Sequence, residues 1–252
     1  MRKIIFIHVG THKTGTTSIQ YFLQANAEKL KDCGIRVARS GVDFARGRRG
    51  NHNVAWEVRR DVRYNRKLGG VAELLEELSD SNEKTAVISS EDFEYLLKYP
   101  AELKEFDQKL NKIGYDRTYL VFFRNSQNYL LSLHYELTKH GVVTSYTSLS
   151  NEVRSKGYIL VKGDWYYEFD RQRFVEDWER VVGPHLKAFD FDEVSKQGEL
   201  LPFFLKTIGA SAELIQAGSN ARRLNQNLNR RNAECPCGSG KTYIHCHGQS
   251  AV

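Results

Sequence analysis

The chain predicts an α/β fold, a parallel sheet flanked by helices, with a small cysteine-rich module at its carboxyl end. Apolar runs at 3–9, 85–89 and 118–123 have the length of buried strands, and each leads into a stretch of helical periodicity. Strands alternating with helices argue parallel pairing through crossover helices. The small module rests on composition: three of the four cysteines fall between 235 and 246. With 252 residues and 40% hydrophobic content, the chain can bury one sizeable core and a small appendage.

Taken in order, strand 3–9 runs into a Gly/Thr/Lys loop and a helix over 16–31, and a basic, partly helical stretch continues to about 83. Strand 85–89 follows, then helices at 91–97 and 101–113, strand 118–123 and a helix over 127–140. Beyond Gly141 a Ser/Thr-rich segment leads to a turn at Lys162-Gly163-Asp164, before the aromatic cluster Trp165-Tyr166-Tyr167. Residues 171–182 read as a helix and 186–191 as a strand. The run from Asn220 to Asn232 has too little apolar content to pack firmly and reads as a linker. The expected organisation is therefore an α/β domain over 1–217, a polar linker over 218–233 and a module over 234–252 that is separable from the body. No run of 18 apolar residues occurs, and the opening apolar stretch is too short for a signal peptide, so a cytoplasmic protein is expected.

The junction of the first strand and helix carries the strongest chemical signal. Gly10-Thr11-His12-Lys13-Thr14-Gly15-Thr16-Thr17-Ser18 places a tight loop and a helix N-terminus where backbone N–H groups converge, and Lys13 adds a full positive charge. A phosphate-like anion is the natural guest. In a nucleoside-triphosphate loop the lysine follows the second glycine. Here Thr16 follows Gly15, and the lysine lies inside the loop.

That arrangement resembles the 5′-phosphosulfate loop of the sulfotransferases that use 3′-phosphoadenosine 5′-phosphosulfate (PAPS), in the form seen in bacterial members. Through this resemblance, Thr11, His12, Lys13, Thr14, Gly15, Thr16, Thr17 and Ser18 are candidate donor-binding residues. Arg124 and Ser132, after the 118–123 strand, have the R-x₇-S spacing of the family's 3′-phosphate site, where a guanidinium fork and a hydroxyl suit a phosphate dianion. The resemblance implies a P-loop-like sheet and transfer of a sulfuryl group from PAPS to a hydroxyl or amine of a carbohydrate or lipid-linked acceptor. 3′-Phosphoadenosine 5′-phosphate (PAP) would be the product. Lys13 would neutralise charge on the departing oxygen. Two residues compete as base. His52, in Gly50-Asn51-His52-Asn53, stands after the first helix, where many of these enzymes carry a histidine; Glu91 stands at the carboxyl end of a strand, where open α/β sheets build their sites. His52 is the preferred base, with Glu91 binding or orienting the acceptor. His8 alternates with core residues and reads as structural.

At the other end, Cys235, Cys237, Cys246 and His247 form C-x-C-x₈-C-H, four soft and borderline ligands for a closed tetrahedral zinc site. So short a segment buries too little apolar surface to fold without metal. The run resembles the SEC-C motif, a zinc-binding tail appended to many bacterial proteins, which implies Zn²⁺ and a docking role toward a protein or anionic surface.

Charge is uneven. The total is +6, yet the segment 36–67 has ten Arg/Lys against three Asp/Glu, a net +7. That segment reads as a receptor for an anionic acceptor or as a solvated loop; few interleaved aromatics argue against nucleic acid. Two other function classes stand beside sulfuryl transfer: a nucleoside-triphosphate-dependent kinase or NTPase on the same sheet, and a non-catalytic nucleotide-binding adaptor docking through its zinc tail.

Overall fold

The computed structural model describes residues 2–163, 165–196, 199–221, 232, 234–235 and 239–246. The chain forms two compact units, one from Met1–Phe123 with Phe174–Leu224, the other from Arg124–Arg173 with Asn225–Val252.

The first unit is built on strand β1 (Lys3–His8), which feeds α1 (Thr16–Ala25) and α2 (Ala27–Asp32). The helix expected over 16–31 is thus broken at Asn26, whose amide Nδ2–H donates to Phe22 O at 2.9 Å. Strand β2 (Ile35–Val37), α3 (His52–Val58) and α4 (Val71–Ser79) occupy the basic stretch. Then come β3 (Thr85–Ser89), a 3₁₀ segment (Glu91–Lys98), α5 (Pro100–Lys112) and β4 (Tyr115–Phe123). In the second unit lie α6 (Ser126–Lys139), α7 (Tyr146–Lys156) and the strands β5 (Tyr158–Val161) and β6 (Trp165–Glu168). The chain returns to the first unit through α8 (Arg171–Val182), and completes it with β7 (Leu186–Asp190), α9 (Phe191–Lys196), α10 (Leu200–Thr207) and α11 (Ala212–Asn220).

The sheet of the first unit has the order β2-β3-β1-β4-β7 and every pairing is parallel. Period-2 alternation sends β1 to both faces: Ile5 and Ile7 join one apolar cluster with Val121 and Trp178, and Phe6 joins the other with Val87, Leu120 and Phe204. Both faces are therefore buried, as a parallel sheet requires. The chain builds β2 and β3 on one side of β1 and then crosses to β4 and β7 on the other, so β1 marks the topological switch, where open α/β sheets place their ligands.

In the second unit β5 and β6 form an antiparallel hairpin, turned by Lys162 and Gly163 in left-handed conformations. Asp164 of the expected turn lies outside the described residues. The buried Glu168 carboxylate collects Tyr166 Oη–H, the Arg173 guanidinium (2.9 and 2.6 Å) and two backbone N–H groups. Tyr243 of the cysteine-rich tail is fully buried in this unit: its hydroxyl bonds to His134 Nδ1, and its ring lies 5.3 Å from that of Tyr135. The tail is thus held to α6 by an aromatic anchor that the polar linker gave no reason to expect.

Candidate active site

The loop after β1 is shaped by three left-handed residues, Gly10 (φ 50°), Lys13 (φ 69°) and Gly15 (φ 77°). Gly15 immediately precedes α1, and the first turn, Thr16-Thr17-Ser18, carries no carboxylate. The opening N–H groups of a helix have no partner within it, so this end is receptive to an anion. Lys13 is the loop's non-glycine residue in a region that costs a side-chain-bearing residue about 1–3 kcal/mol.

The loop threonines divide into two kinds. Thr11 Oγ1 donates to Phe122 O at 2.7 Å and Thr14 Oγ1 to Thr11 O at 2.5 Å, so both hydroxyl protons brace the loop. In this arrangement the two hydroxyls tie the loop to β4 and to itself. Thr16 differs. Its buried Oγ1 has no hydrogen-bond partner, nor has His8 Nε2, and a Cβ on Gly10 would come within 2.8 Å and 3.4 Å of these two atoms. An unsatisfied hydroxyl on a helix's first turn, beside a bare backbone, fits a phosphate oxygen. His8 itself is structural: Nδ1 bonds Ser89 Oγ at 2.8 Å, and burial pushes the imidazole down to about 4, with the Glu91 charge opposing.

His12 is held by the 3₁₀ segment. Its backbone N–H (3.0 Å) and its Nδ1 (2.7 Å) both meet Glu94 Oε2, and Nε2 lies 3.3 Å from Tyr95 Oη. Burial alone would lower its pKa. The Glu94 hydrogen bond and the charges of Glu94, Glu91 and Asp92 outweigh burial and raise it.

His52 opens α3. Asn51, just before it, joins three segments: its Nδ2 donates to Ala38 O (3.1 Å) and Ser40 O (2.9 Å), and its Oδ1 accepts from Ser89 N (2.9 Å). The imidazole Nδ1 then meets Asp92 Oδ2 and Ser90 Oγ, each at 2.9 Å, and lies 4.0 Å from Glu91 Oε2. Ser90 is also the cap of the 3₁₀ segment, accepting from Asp92 N. Among the described residues, the ring makes its hydrogen bonds through Nδ1. An ionised Asp92 selects the tautomer with the proton on Nδ1, which leaves the Nε2 lone pair available. Burial opposes protonation of the ring, but Glu91 and Asp92 prevail and raise its pKa. Burial likewise opposes ionisation of Asp92; the His52 hydrogen bond and charge, with Arg63 at 3.1 Å, hold it well below the usual carboxylate range.

Glu91 completes the cluster. Gln20 Nε2 on α1 donates to its Oε2 at 2.9 Å, so the helix that begins at the loop also carries the support of the carboxylate beside His52. Burial raises the Glu91 pKa, and the His52 and His12 charges more than reverse that. Lys13, His52 and Glu91 thus all belong to the first unit. Sequence reasoning passed over Asp92, Glu94, Gln20 and Arg63 as partners. The visible signal was the acidic pattern Glu91-Asp92-x-Glu94 following a buried strand.

Arg124 and Ser132 belong to the second unit. Arg124 directly follows β4, and Ser132 is buried on α6, whose cap Asn125 Oδ1 accepts from Gln127 N at 3.0 Å. In the tail, the Glu234–Thr242 bridge and the 2.7 Å bond from Cys235 N to Lys241 O fold the strand of Cys235 back toward the segment of Cys246. Cys235 and Cys246 are the described cysteines of this segment, and their sulfurs are of the kind that suits a thiolate-binding metal. Cys237 and His247 lie outside the described residues, and among those described no group of three or more metal-ligating side chains occurs.

Residues 231–249 match the family model of the SEC-C motif. Among solved structures, the chain is similar to a sulfotransferase from Alicyclobacillus acidocaldarius, with 15% identity, a TM-score of 0.46, and coverage of 91% of this chain and 88% of that one. The comparison with curated proteins gives no match. Among the described residues, no helix is long and apolar enough to cross a membrane.

Proposed function

We propose that the chain is a PAPS-dependent sulfotransferase of the bacterial cytoplasm, moving a sulfuryl group to a hydroxyl or amine of a carbohydrate or lipid-linked acceptor. The observation that carries this reading is the Asp92–His52 pair, its Nε2 unused, tied through Glu91 and Gln20 to the helix that opens at the lysine-containing loop. A proton acceptor and an anion cradle on adjoining supports are what sulfuryl transfer needs.

The bound donor supplies an electrophilic sulfur with a phosphate as leaving group. Lys13, the N–H groups of Thr16 and Thr17 and the Thr16 hydroxyl receive the negative charge that collects on the phosphate oxygens as the S–O bond breaks. His52 Nε2 takes the proton of the attacking hydroxyl as the new O–S bond forms, a role worth roughly 10²- to 10⁴-fold in rate. The resulting imidazolium is stabilised by Asp92, and Glu91 orients the acceptor. Arg124 and Ser132 are assigned to the donor's 3′-phosphate. In the tail, Cys235, Cys237, Cys246 and His247 hold one Zn²⁺, and the module docks the enzyme to a protein or anionic surface.

A kinase or NTPase reading would use Glu91 or Asp92 as a magnesium ligand, but Asp92 is engaged by His52 and Arg63. The deciding experiment is thermal stability with PAP and, separately, with ATP and Mg²⁺. PAP at 100 times its dissociation constant should add about 2.7 kcal/mol. Stabilisation by ATP with Mg²⁺ and none by PAP would overturn the sulfotransferase reading.

A further inference from the structure

Several arginines of the first unit are neutralised by carboxylates, and others are not. Arg36, Arg59, Arg63 and Arg117 sit in ion pairs of 2.6–3.1 Å with Glu77, Asp61, Asp92 and Asp107. Arg39, Arg48 and Arg49 form no ion pair among the described residues, though each, like the ion-paired Arg59 and Arg63, lies over an aromatic ring. Arg39 stands 5.0 Å from the Phe44 centroid, and Arg49 stands 5.2 Å from Phe44 and 5.3 Å from Tyr21. Arg48 stands 5.2 Å from the Trp56 centroid. A guanidinium on a ring keeps its charge while the ring fixes its plane, and Arg49 spends one N–H of its fork on Arg48 O at 2.9 Å.

These residues lead to the base. Trp56 stacks on His52 at 6.0 Å, and the Arg48 charge acts on the His52 imidazole. Gly50, between Arg49 and His52, is so close to the site that a Cβ there would lie 2.8 Å from His52 Nε2. Farther along, Tyr21 and Phe44 are exposed at 39% and 37%, large aromatic surface left in water beside unpaired cations. The Tyr21 hydroxyl donates to Gly47 O at 2.7 Å, pinning the loop that carries the arginines to α1.

We propose that the acceptor is an acidic glycan, a sugar chain bearing carboxylates near the hydroxyl that is modified. Planar guanidinium forks match planar carboxylates, and exposed aromatic rings match the C–H faces of sugars. A lipid surface would call for protruding aliphatic side chains, and between Asp43 and Gly50 the apolar side chains are Phe44 and Ala45. This assignment deepens the sulfotransferase reading and depends on it for the identity of the reacting hydroxyl, not for the binding of the chain.

The test measures binding of fluorescent chondroitin oligosaccharide, the same oligosaccharide after carboxyl reduction, and phosphatidylglycerol vesicles to the full-length protein. The acidic chain should bind at least about tenfold more tightly than its reduced form, and Arg48→Ala with Arg49→Ala should remove about tenfold of its affinity. Arg48→Lys with Arg49→Lys should recover only part, because lysine keeps the charge but loses the fork. Equal affinity for the two oligosaccharides, or binding to vesicles without binding to the acidic chain, overturns the proposal. PAP stabilisation is read in the same samples. Acidic-chain binding without any PAP effect supports the glycan surface and overturns the transferase reading; a PAP effect with no preference for carboxylates does the opposite.

Discussion

Replacing Asp92 with asparagine tests the proposed base directly, and its effect can be worked from two distances. Asp92 Oδ2 touches His52 Nδ1 at 2.9 Å, and Glu91 Oε2 stands at 4.0 Å. A carboxylate at such range favours the charged form of a neighbouring imidazole. Asp92→Asn removes one of the two charges that raise His52 against burial, so the imidazole pKa should fall. An NMR titration of the His52 ring in wild type and variant reads the shift without knowledge of the acceptor. The linkage signs give a second readout. His52, raised in the fold, contributes stability that is present below its ordinary pKa of 6.5 and is lost as pH rises through its folded value. Asp92, depressed in the fold, contributes stability present above its ordinary 3.8 and lost as pH falls through its folded value. Both terms are in force together at mildly acidic pH, so the variant's loss of stability should be largest there and shrink above neutrality. Turnover should fall roughly 10²- to 10⁴-fold, because the carboxamide can offer an N–H to Nδ1 and select the tautomer whose Nε2 is protonated. A His52 pKa that stays in place or rises in Asp92→Asn would refute the pairing.

Lys13→Gly should abolish sulfuryl transfer while leaving stability unchanged or higher, since glycine tolerates the left-handed φ of 69°. A stability loss above about 1 kcal/mol would make the lysine structural. Arg124→Ala should weaken PAPS by about 1.5–3 kcal/mol and leave adenosine 5′-phosphosulfate, which lacks the 3′-phosphate, unaffected; equal losses would remove Arg124 from that site. His8, with its pKa lowered to about 4, resists the proton that the unfolded chain takes up near 6.5, so stability should fall by about 3 kcal/mol as pH drops through that window. Denaturant unfolding of His8→Gln should lack this component, and an unchanged pH slope would refute it. Metal analysis of the reduced full-length protein should give about one zinc per chain, and near none for Cys237→Ser with Cys246→Ser; zinc retained by that double variant would exclude the site.

What was legible in the sequence depended on whether an element's own residues determine it. Strand β3 and helix α8 have the expected bounds, because a run of buried residues and a clean amphipathic stripe are local signals. Strand β4 starts three residues earlier than the expected 118, at Tyr115-Asp116-Arg117, where Arg117 is charged yet satisfied by Asp107 on α5. Strand β2 was hidden in the basic stretch: three residues centred on Arg36 become a strand only by pairing with β3. The hairpin β5–β6 did have a signal, two apolar-aromatic runs around Lys162-Gly163, overshadowed by the polar segment before it. In the candidate site, the loop lysine, His52 and Glu91 could be singled out because each stands beside a recognisable junction. The partners were not: Asp92 meets His52 across 40 residues and Glu94 meets His12 across 82, and such pairings are decided by sheet order, which no local pattern encodes.

The tail shows the same limit from the other side. Its linker is polar enough to predict independence, yet Tyr243 of the tail packs on α6. Tyr243 has no exposed surface, and its hydroxyl meets His134 Nδ1 while His134 Nε2 meets Thr144 O at 2.7 Å. Because a carbonyl only accepts, Nε2 must carry the ring proton in neutral His134, and Nδ1 must accept from the tyrosine. The bond is therefore directional, and α6 is shaped to receive a phenol. Burying such a ring is worth about 2–3 kcal/mol. Cys235 and Cys246 stand on either side of this anchor in the chain, so a metal held by them would favour the seating of Tyr243 on α6. Ser132 lies on that same helix, which brings the tail's folding and the proposed 3′-phosphate residue onto one element of the second unit.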